Sequence, residues 1–237
     1  MITSPDNQKL KLVRRLAGRR DRDREGLFVT EGEDLLEAGL AAGQQPELVL
    51  VAPESGVDGE EVEPGLMATV SQLGSGTRAI GVWQQRWGEP EGPTDVYLHA
   101  VGDPGNVGAV IRTAHALLEG RVVLGPGCAD PYGPKAVRAS MGSIFARPPA
   151  RAEVAETISP RVALVAHGGE SIGDLEPPLT LCLGAEREGL PEVVLAACER
   201  TLTIPLRPGG AESLNVAAAA AIACERISSR ARAGVSE

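Results

Sequence analysis

The apolar positions of this chain alternate between two rhythms. Over residues 6–20 (DNQKLKLVRRLAGRR), Leu10, Val13, Leu16 and Ala17 recur at the three- and four-residue spacing of one helix face, with Lys and Arg on the other faces. The pattern predicts a basic amphipathic helix. GLFVT then reads as a strand, EGEDLLEAGLAAG as a helix stopped by Gly43, and PELVLVA as a strand. Short strands at Leu66 to Val70 and Ala79 to Gln84 complete a small alternating α/β unit, and RWGEPEGPT has the Gly, Pro and charge content of a linker. From DVYLHAV onward, near-continuous apolar strands (RVVLG, VALVA, LTLCLG, TLTIP) are separated by helical stretches, the pattern of a mostly parallel sheet covered on both faces. The last helix, SLNVAAAAAIACERISSRAR, is apolar nearly all round through its first half and belongs in a core or a subunit interface. The expected protein is α/β with two domains, residues 1–87 and 95–232, joined at about 88–94.

Composition narrows the chemistry. No apolar run approaches the roughly 20 residues that cross a bilayer, and MITSPDNQKLKL carries no signal core, so the expectation is a cytoplasmic protein without a membrane partner. Cys128, Cys182, Cys198 and Cys224 lie far apart with no CxxC pair, and His99, His115 and His167 have no ligand-like spacing. Reduced thiols and metal-free chemistry are expected. The net charge of −9 argues against nucleic acid until it is divided along the chain: residues 1–26 hold eight Lys/Arg and four Asp/Glu, whereas the rest holds fifteen against twenty-eight, a balance of −13. Such a basic end suits phosphate neutralisation, and a solvated helix face would look the same.

Gly74, Gly76 and Ala79 form a GxGxxA string, but the strand-like IGVWQQ comes after it where a dinucleotide site needs a helix. Three other segments sit at strand-to-helix junctions, where ligand loops gather in an open parallel sheet. In GDPGNVGAVIRTAHALLEG, the DPG triplet is a ready turn former, and a helix starting near Asn106 would set Arg112 under two turns further on; taken alone, Arg112 reads as a solvated ion-pair former. In LTLCLGAEREGLPEVV, Gly184 and Gly189 allow close backbone approach, and Glu186 serves equally well as a carboxylate at a helix N-terminus. In TLTIPLRPGGAESLNV, Ser213 is a natural N-cap, while Asn215 in the first helical turn is a mediocre helix former whose amide can orient a substrate oxygen.

Taken together, N-x-G-x-x-x-R, G-x-E-x-x-G-L and I-P-(loop)-E-S-L-N-V resemble the motif set of the SpoU/TrmH family of RNA ribose 2′-O-methyltransferases, over about residues 95–230. KAVRASMGSIFARP is similar to the family's stretch after the first motif, and NQKLKLVRRL with GLFVTEGEDLLEAGL is similar to a small substrate-binding domain related to ribosomal protein L30e. The resemblance implies a SPOUT fold whose C-terminal chain forms a deep trefoil knot around S-adenosylmethionine, and a homodimer in which both subunits complete each site. By position, it implies cofactor contacts from Leu183, Gly184, Ile204, Leu206 and Leu214, and catalytic or orienting roles for Asn106, Arg112, Glu186, Ser213 and Asn215. The basic cluster makes Arg14, Arg15, Arg19 and Arg20 candidates for RNA contact, to which the resemblance adds Arg138. The family's matching arginine is proposed as a base. Because a guanidinium stays protonated, we expect Arg112 instead to stabilise the developing alkoxide and a nearby phosphate. The loop between Ile204 and Ser213 is longer than the family's usual pattern. Ribosomal RNA is favoured over transfer RNA because of the N-terminal domain. The competing expectations are a noncatalytic RNA-binding protein of the same fold and a related knotted enzyme that modifies a base.

Overall fold

The chain begins with two helices where the periodicity predicts one. In the computed structural model, which describes residues 1–72, 76–173 and 175–233, α1 (Gln8–Arg15) is capped by Asn7, whose side chain accepts from the Lys9 amide at 2.8 Å. After a break at Gly18, a poor interior residue for a helix, α2 (Arg19–Glu25) runs to Gly26 at φ 66°. Leu10, Val13 and Leu16 are buried as expected, but Ala17 is exposed. One arginine of the basic stretch turns inward. Arg22, 4% exposed, forks onto Asp130 Oδ2 at 2.7 and 3.0 Å and donates to the Leu16 and Ala17 carbonyls.

β1 (Leu27–Glu31), α3 (Glu33–Ala41), β2 (Leu48–Val51), β3 (Glu60–Glu61), α4 (Pro64–Val70) and β4 (Ala79–Gln84) complete this region, with sheet order β1-β4-β2-β3. The strand expected at Leu66 to Val70 is a helix. Pro64 presets the first helical turn, and Met67 and Val70 bury three residues apart, whereas a strand would bury alternate positions. Of the GxGxxA string, Gly74 lies outside the described residues; Ala79 opens β4 and no helix.

Contacts divide the chain into two compact units, residues 1–86 with 130–146, and 87–129 with 147–237. The division expected from composition does not include the excursion of residues 130–146. Its anchors are not compositional signals. Tyr132 and Phe145 pack on Phe28 at ring distances of 4.8 and 5.5 Å, Phe145 meets Trp83 edge-on at 4.7 Å, and Gln44 donates to the Phe145 carbonyl at 2.9 Å.

The second unit contains β5 (Thr94–Leu98), α5 (Pro104–Leu117), β6 (Val122–Leu124), β7 (Ala150–Arg151), β8 (Arg161–Leu164), β9 (Glu170–Ser171), β10 (Leu179–Leu183), α8 (Glu192–Ala196), β11 (Arg200–Thr203) and α9 (Val216–Ala233); α6 (Pro134–Ser140) and α7 (Ser143–Ala146) lie in the excursion. All neighbours in its seven-stranded sheet, order β7-β6-β5-β10-β8-β11-β9, are parallel. Every residue of β5 and β10 is buried, as continuous apolar strands covered on both faces require. One face packs Val110 and Ile111 of α5 with Ala220, Ala223 and Cys224 of α9; the other packs Tyr97, Val123 and Cys182 with Val194 of α8. α9 still leaves Ala218 and Ile222 exposed, the remainder of its all-round apolar character.

The sheet topology positions the site. β5 connects towards β6 on one side and β10 towards β11 on the other, so a crevice opens at the carboxyl ends of these central strands. Among the described residues, no helix is long and apolar enough to cross a membrane, no group of three His, Cys, Asp or Glu is arranged to hold a metal, and the four cysteines are free.

Candidate active site

The first loop leaves β5 and enters α5 through the DPG triplet. Asp103 is the N-cap, accepting from the Asn106 amide at 3.0 Å, and Pro104 is the first helical residue. The helix therefore starts two residues before the expected point, and Asn106 lies in its first turn. Arg112 then lies eight residues beyond Pro104, about 12 Å along the axis. It is exposed, has no hydrogen bond or ion pair among the described residues, and does not line the pocket formed by the other loops.

The second loop is a tight hairpin at the end of β10. Ala185 and Gly189 pair across it, with the Gly189 amide donating to the Ala185 carbonyl at 2.9 Å and Gly189 in the left-handed region at φ 68°. A Cβ on Gly184 would lie 2.2 Å from the Gly189 carbonyl group. The glycine is thus demanded by the loop's own returning backbone rather than by a ligand, which refines the sequence-based reading.

The third loop, from Ile204 to Asn215, ends in a cap different from the one expected. Asn215 precedes α9, and its Oδ1 accepts from the amides of Ala217 at 2.9 Å and Ala218 at 3.4 Å. Ser213 lies two residues too early to cap and instead lines the pocket. The reason is the path of the loop: an Asn side chain reaches the first free amides from immediately before the helix.

A chain of side-chain hydrogen bonds ties the three loops together. Asn215 Nδ2 donates to Asn106 Oδ1 at 3.1 Å, and Asn106 Nδ2 donates to Glu186 Oε1. Since Asn215 Oδ1 caps α9 and Glu186 is an acceptor, both amide orientations are fixed by their neighbours. Each link joins residues 80 or more apart in sequence, so the contact is a tertiary convergence and not a local turn.

Beside this chain a pocket of about 360 Å³ opens, in the size range that encloses a small ligand. Its wall includes Leu183, Gly184, Glu186, Ile204, Leu206, Ser213 and Leu214, all singled out from the sequence, whereas Asn106 and Asn215 reach it only through Glu186 and the loop backbone. Leu164 at the end of β8 and the loop that follows, to His167, line it as well. The motif pattern does not mark that segment, although a signal exists: VALVA reads as a parallel strand, and the loop leaving the carboxyl end of such a strand is a candidate to hold a ligand. The donor set suits S-adenosylmethionine. Leucine and isoleucine walls accept an adenine ring, turns expose backbone amides and carbonyls for its polar edge, and Glu186, Arg187 and Glu188 supply a charged rim for an amino-acid tail, with His167 beside them.

The arginines expected to meet RNA divide by their commitments. Arg14 donates to the Pro5 carbonyl and Thr69, Arg15 lies 4.0 Å from Glu25, and Arg19 lies 3.6 Å from Asp23. Arg20 and Arg138 are exposed and carry no hydrogen bond or ion pair among the described residues.

Residues 93–225 match the SpoU rRNA Methylase family, and residues 7–82 match the MRM3-like substrate binding domain. The chain is 31% identical over 243 residues to the 23S rRNA (guanosine(2553)-2′-O)-methyltransferase RlmP of Bacillus subtilis, covering 93% of this chain and 96% of that protein. It is 36% identical over 143 residues, 54% of this chain and 50% of the relative, to a 23S rRNA (uridine(2479)-2′-O)-methyltransferase of Streptomyces viridochromogenes. Its fold is similar to that of the AdoMet-bound rRNA methyltransferase of Sinorhizobium meliloti, with a TM-score of 0.82, 29% identity and 95% of each chain covered. With a family match spanning more than half of its length and a full-length relative above 30% identity, the chain belongs to the SpoU rRNA methylase family.

Proposed function

We propose that this protein transfers a methyl group from S-adenosylmethionine to a ribose 2′-hydroxyl of ribosomal RNA in the cytoplasm. The observation that carries the reading is the hydrogen-bonded convergence of Asn106, Glu186 and Asn215 beside a pocket at the carboxyl edge of the sheet. Two curated relatives are named for 23S rRNA, which supports ribosomal over transfer RNA; one is named for a guanosine and the other for a uridine, so family membership does not dictate the base.

The cofactor supplies an activated methyl group on a sulfonium. The chain's own residues do the rest. Leu183, Ile204, Leu206 and Leu214 exclude water around the adenosine, and the Gly184 loop offers its backbone to the polar edge. The incoming 2′-oxygen is a weak nucleophile while protonated, so it must be oriented and its developing charge stabilised. Ser213, which lines the pocket, orients it, while the Asn106–Asn215 pair holds the two supporting loops in register. Arg112 stabilises the alkoxide and an adjacent phosphate. Its distance along α5 supports a homodimer in which each pocket receives Arg112 from the other subunit, and the exposed Ala218 and Ile222 of α9 supply apolar surface for such a contact.

We further propose that residues 1–87 form the substrate-binding domain and 95–232 the methyltransferase domain, with Arg20 and Arg138 meeting RNA backbone ahead of Arg14, Arg15 and Arg19. The test is incubation of unmodified ribosomal RNA with the protein and labelled S-adenosylmethionine, with subsequent digestion to nucleosides. A ribose-methylated nucleoside is expected. A base-methylated product would point to base modification, and no product with RNA binding retained would point to a noncatalytic binder.

A further inference from the structure

We propose that Arg187 anchors the carboxylate of the cofactor's amino-acid tail and thereby selects S-adenosylmethionine over adenosine derivatives that lack that group. The inference rests on the reading of the pocket as an S-adenosylmethionine site. Among the described residues, Arg187 is the one Lys or Arg on the pocket wall, in a chain whose net charge is −9. It has no hydrogen bond or ion pair among the described residues, so its five donors are uncommitted. Its neighbour Glu186 is engaged by Asn106, which ties one side of the hairpin tip to α5. The Ala185–Gly189 pairing fixes the other. The fixed backbone sets where the side chain starts, and the planar fork of its guanidinium matches a carboxylate in two parallel hydrogen bonds.

The remaining charges fit the same assignment. A free amino acid tail carries one anion and one cation. Glu188, also on the wall and without a partner among the described residues, is the matching anion for the ammonium, next in sequence to Arg187. Among the described residues of this chain that line the pocket, no other Lys or Arg faces the carboxylate, and in the proposed dimer the partner subunit's Arg112 is committed to the ribose oxygen and a phosphate.

The test compares two ligands that differ by one group, S-adenosylmethionine and decarboxylated S-adenosylmethionine, by calorimetric binding to the full-length wild type, Arg187→Gln and Arg187→Lys. The wild type is expected to prefer the carboxylated ligand by about 10–100-fold, Arg187→Gln to bind both alike, and Arg187→Lys to recover part of the preference. Unchanged affinity of Arg187→Gln for the decarboxylated ligand serves as the check on its fold. A preference that survives intact in Arg187→Gln would overturn the assignment, as would a variant whose sole change is a weaker KM for RNA, which would make Arg187 a phosphate contact. Failure of the wild type to bind either ligand would overturn the cofactor reading, and this inference with it.

Discussion

The pocket wall and the helix that bears Arg112 teach opposite lessons about how far one chain completes its own site. On the wall, loops far apart in sequence are locked by side-chain hydrogen bonds, and every residue that the motifs assign to the cofactor is present. On α5, Asn106 joins this lock while Arg112, six residues further, faces solvent with no partner among the described residues. The same helix therefore holds one residue that orders the pocket and one that is free to act elsewhere. Cofactor binding and methyl transfer are then separable properties of the molecule, and mutations should separate them.

The largest effect is expected at Arg112. Arg112→Ala should lower the rate of transfer by about 1,000-fold or more, as loss of a charge-stabilising group does, while leaving the affinity for S-adenosylhomocysteine within about twofold by calorimetry. Gly184→Ala perturbs the pocket wall instead. A methyl group 2.2 Å from the Gly189 carbonyl cannot be accommodated without re-laying the hairpin, so affinity for S-adenosylhomocysteine should fall by about tenfold or more.

Asp95 offers a change in the scaffold that should touch neither property. It is buried near the amino end of β5, its Oδ1 accepts from the Arg121 amide at 2.9 Å, and Oδ2 has no partner among the described residues, so burial pushes its carboxyl up to about 6. The folded state therefore favours the neutral acid. The stability this contributes is present below about pH 4, the ordinary carboxyl range, and is lost as pH rises through about 6. Thermal unfolding should show a loss of about 2 kcal/mol between pH 4 and pH 7, and Asp95→Asn should flatten that dependence with cofactor affinity unchanged. The smallest effect belongs to Asn215→Ala, which removes a helix cap and one link of the inter-loop chain. It should cost about 1 kcal/mol, a drop in Tm of about 2–4 °C, and weaken cofactor binding less than Gly184→Ala.

Much of the molecule is legible in the sequence, for physical reasons that also mark where legibility ends. The strands of the parallel sheet announce themselves as continuous apolar runs because both faces are buried, and the positions of the three loops are set by where those strands stop. Segments governed by single residues against a weak periodicity defeat the pattern: Gly18 splits a helix, and Pro64 turns an expected strand into α4. The cap on α9 passes from Ser213 to Asn215 because two nearby residues can both cap and the loop path decides. The excursion of residues 130–146 depends on the Arg22–Asp130 pair and on aromatic contacts of Tyr132 and Phe145, none of which has a periodic signature. His167 escapes notice because the segment after β8 has no motif, only a position.

In the proposed dimer, each pocket is built by one chain and served by the Arg112 of the other. This arrangement is tested most directly by mixing Arg112→Ala with Leu214→Asp, a variant altered on the pocket wall, each inactive alone, under conditions that allow subunits to exchange. An equal mixture should regain about a quarter of wild-type transfer, because half of the dimers are mixed and each of those holds one site with both an intact pocket and a partner's arginine. A mixture as inactive as its two components would contradict it.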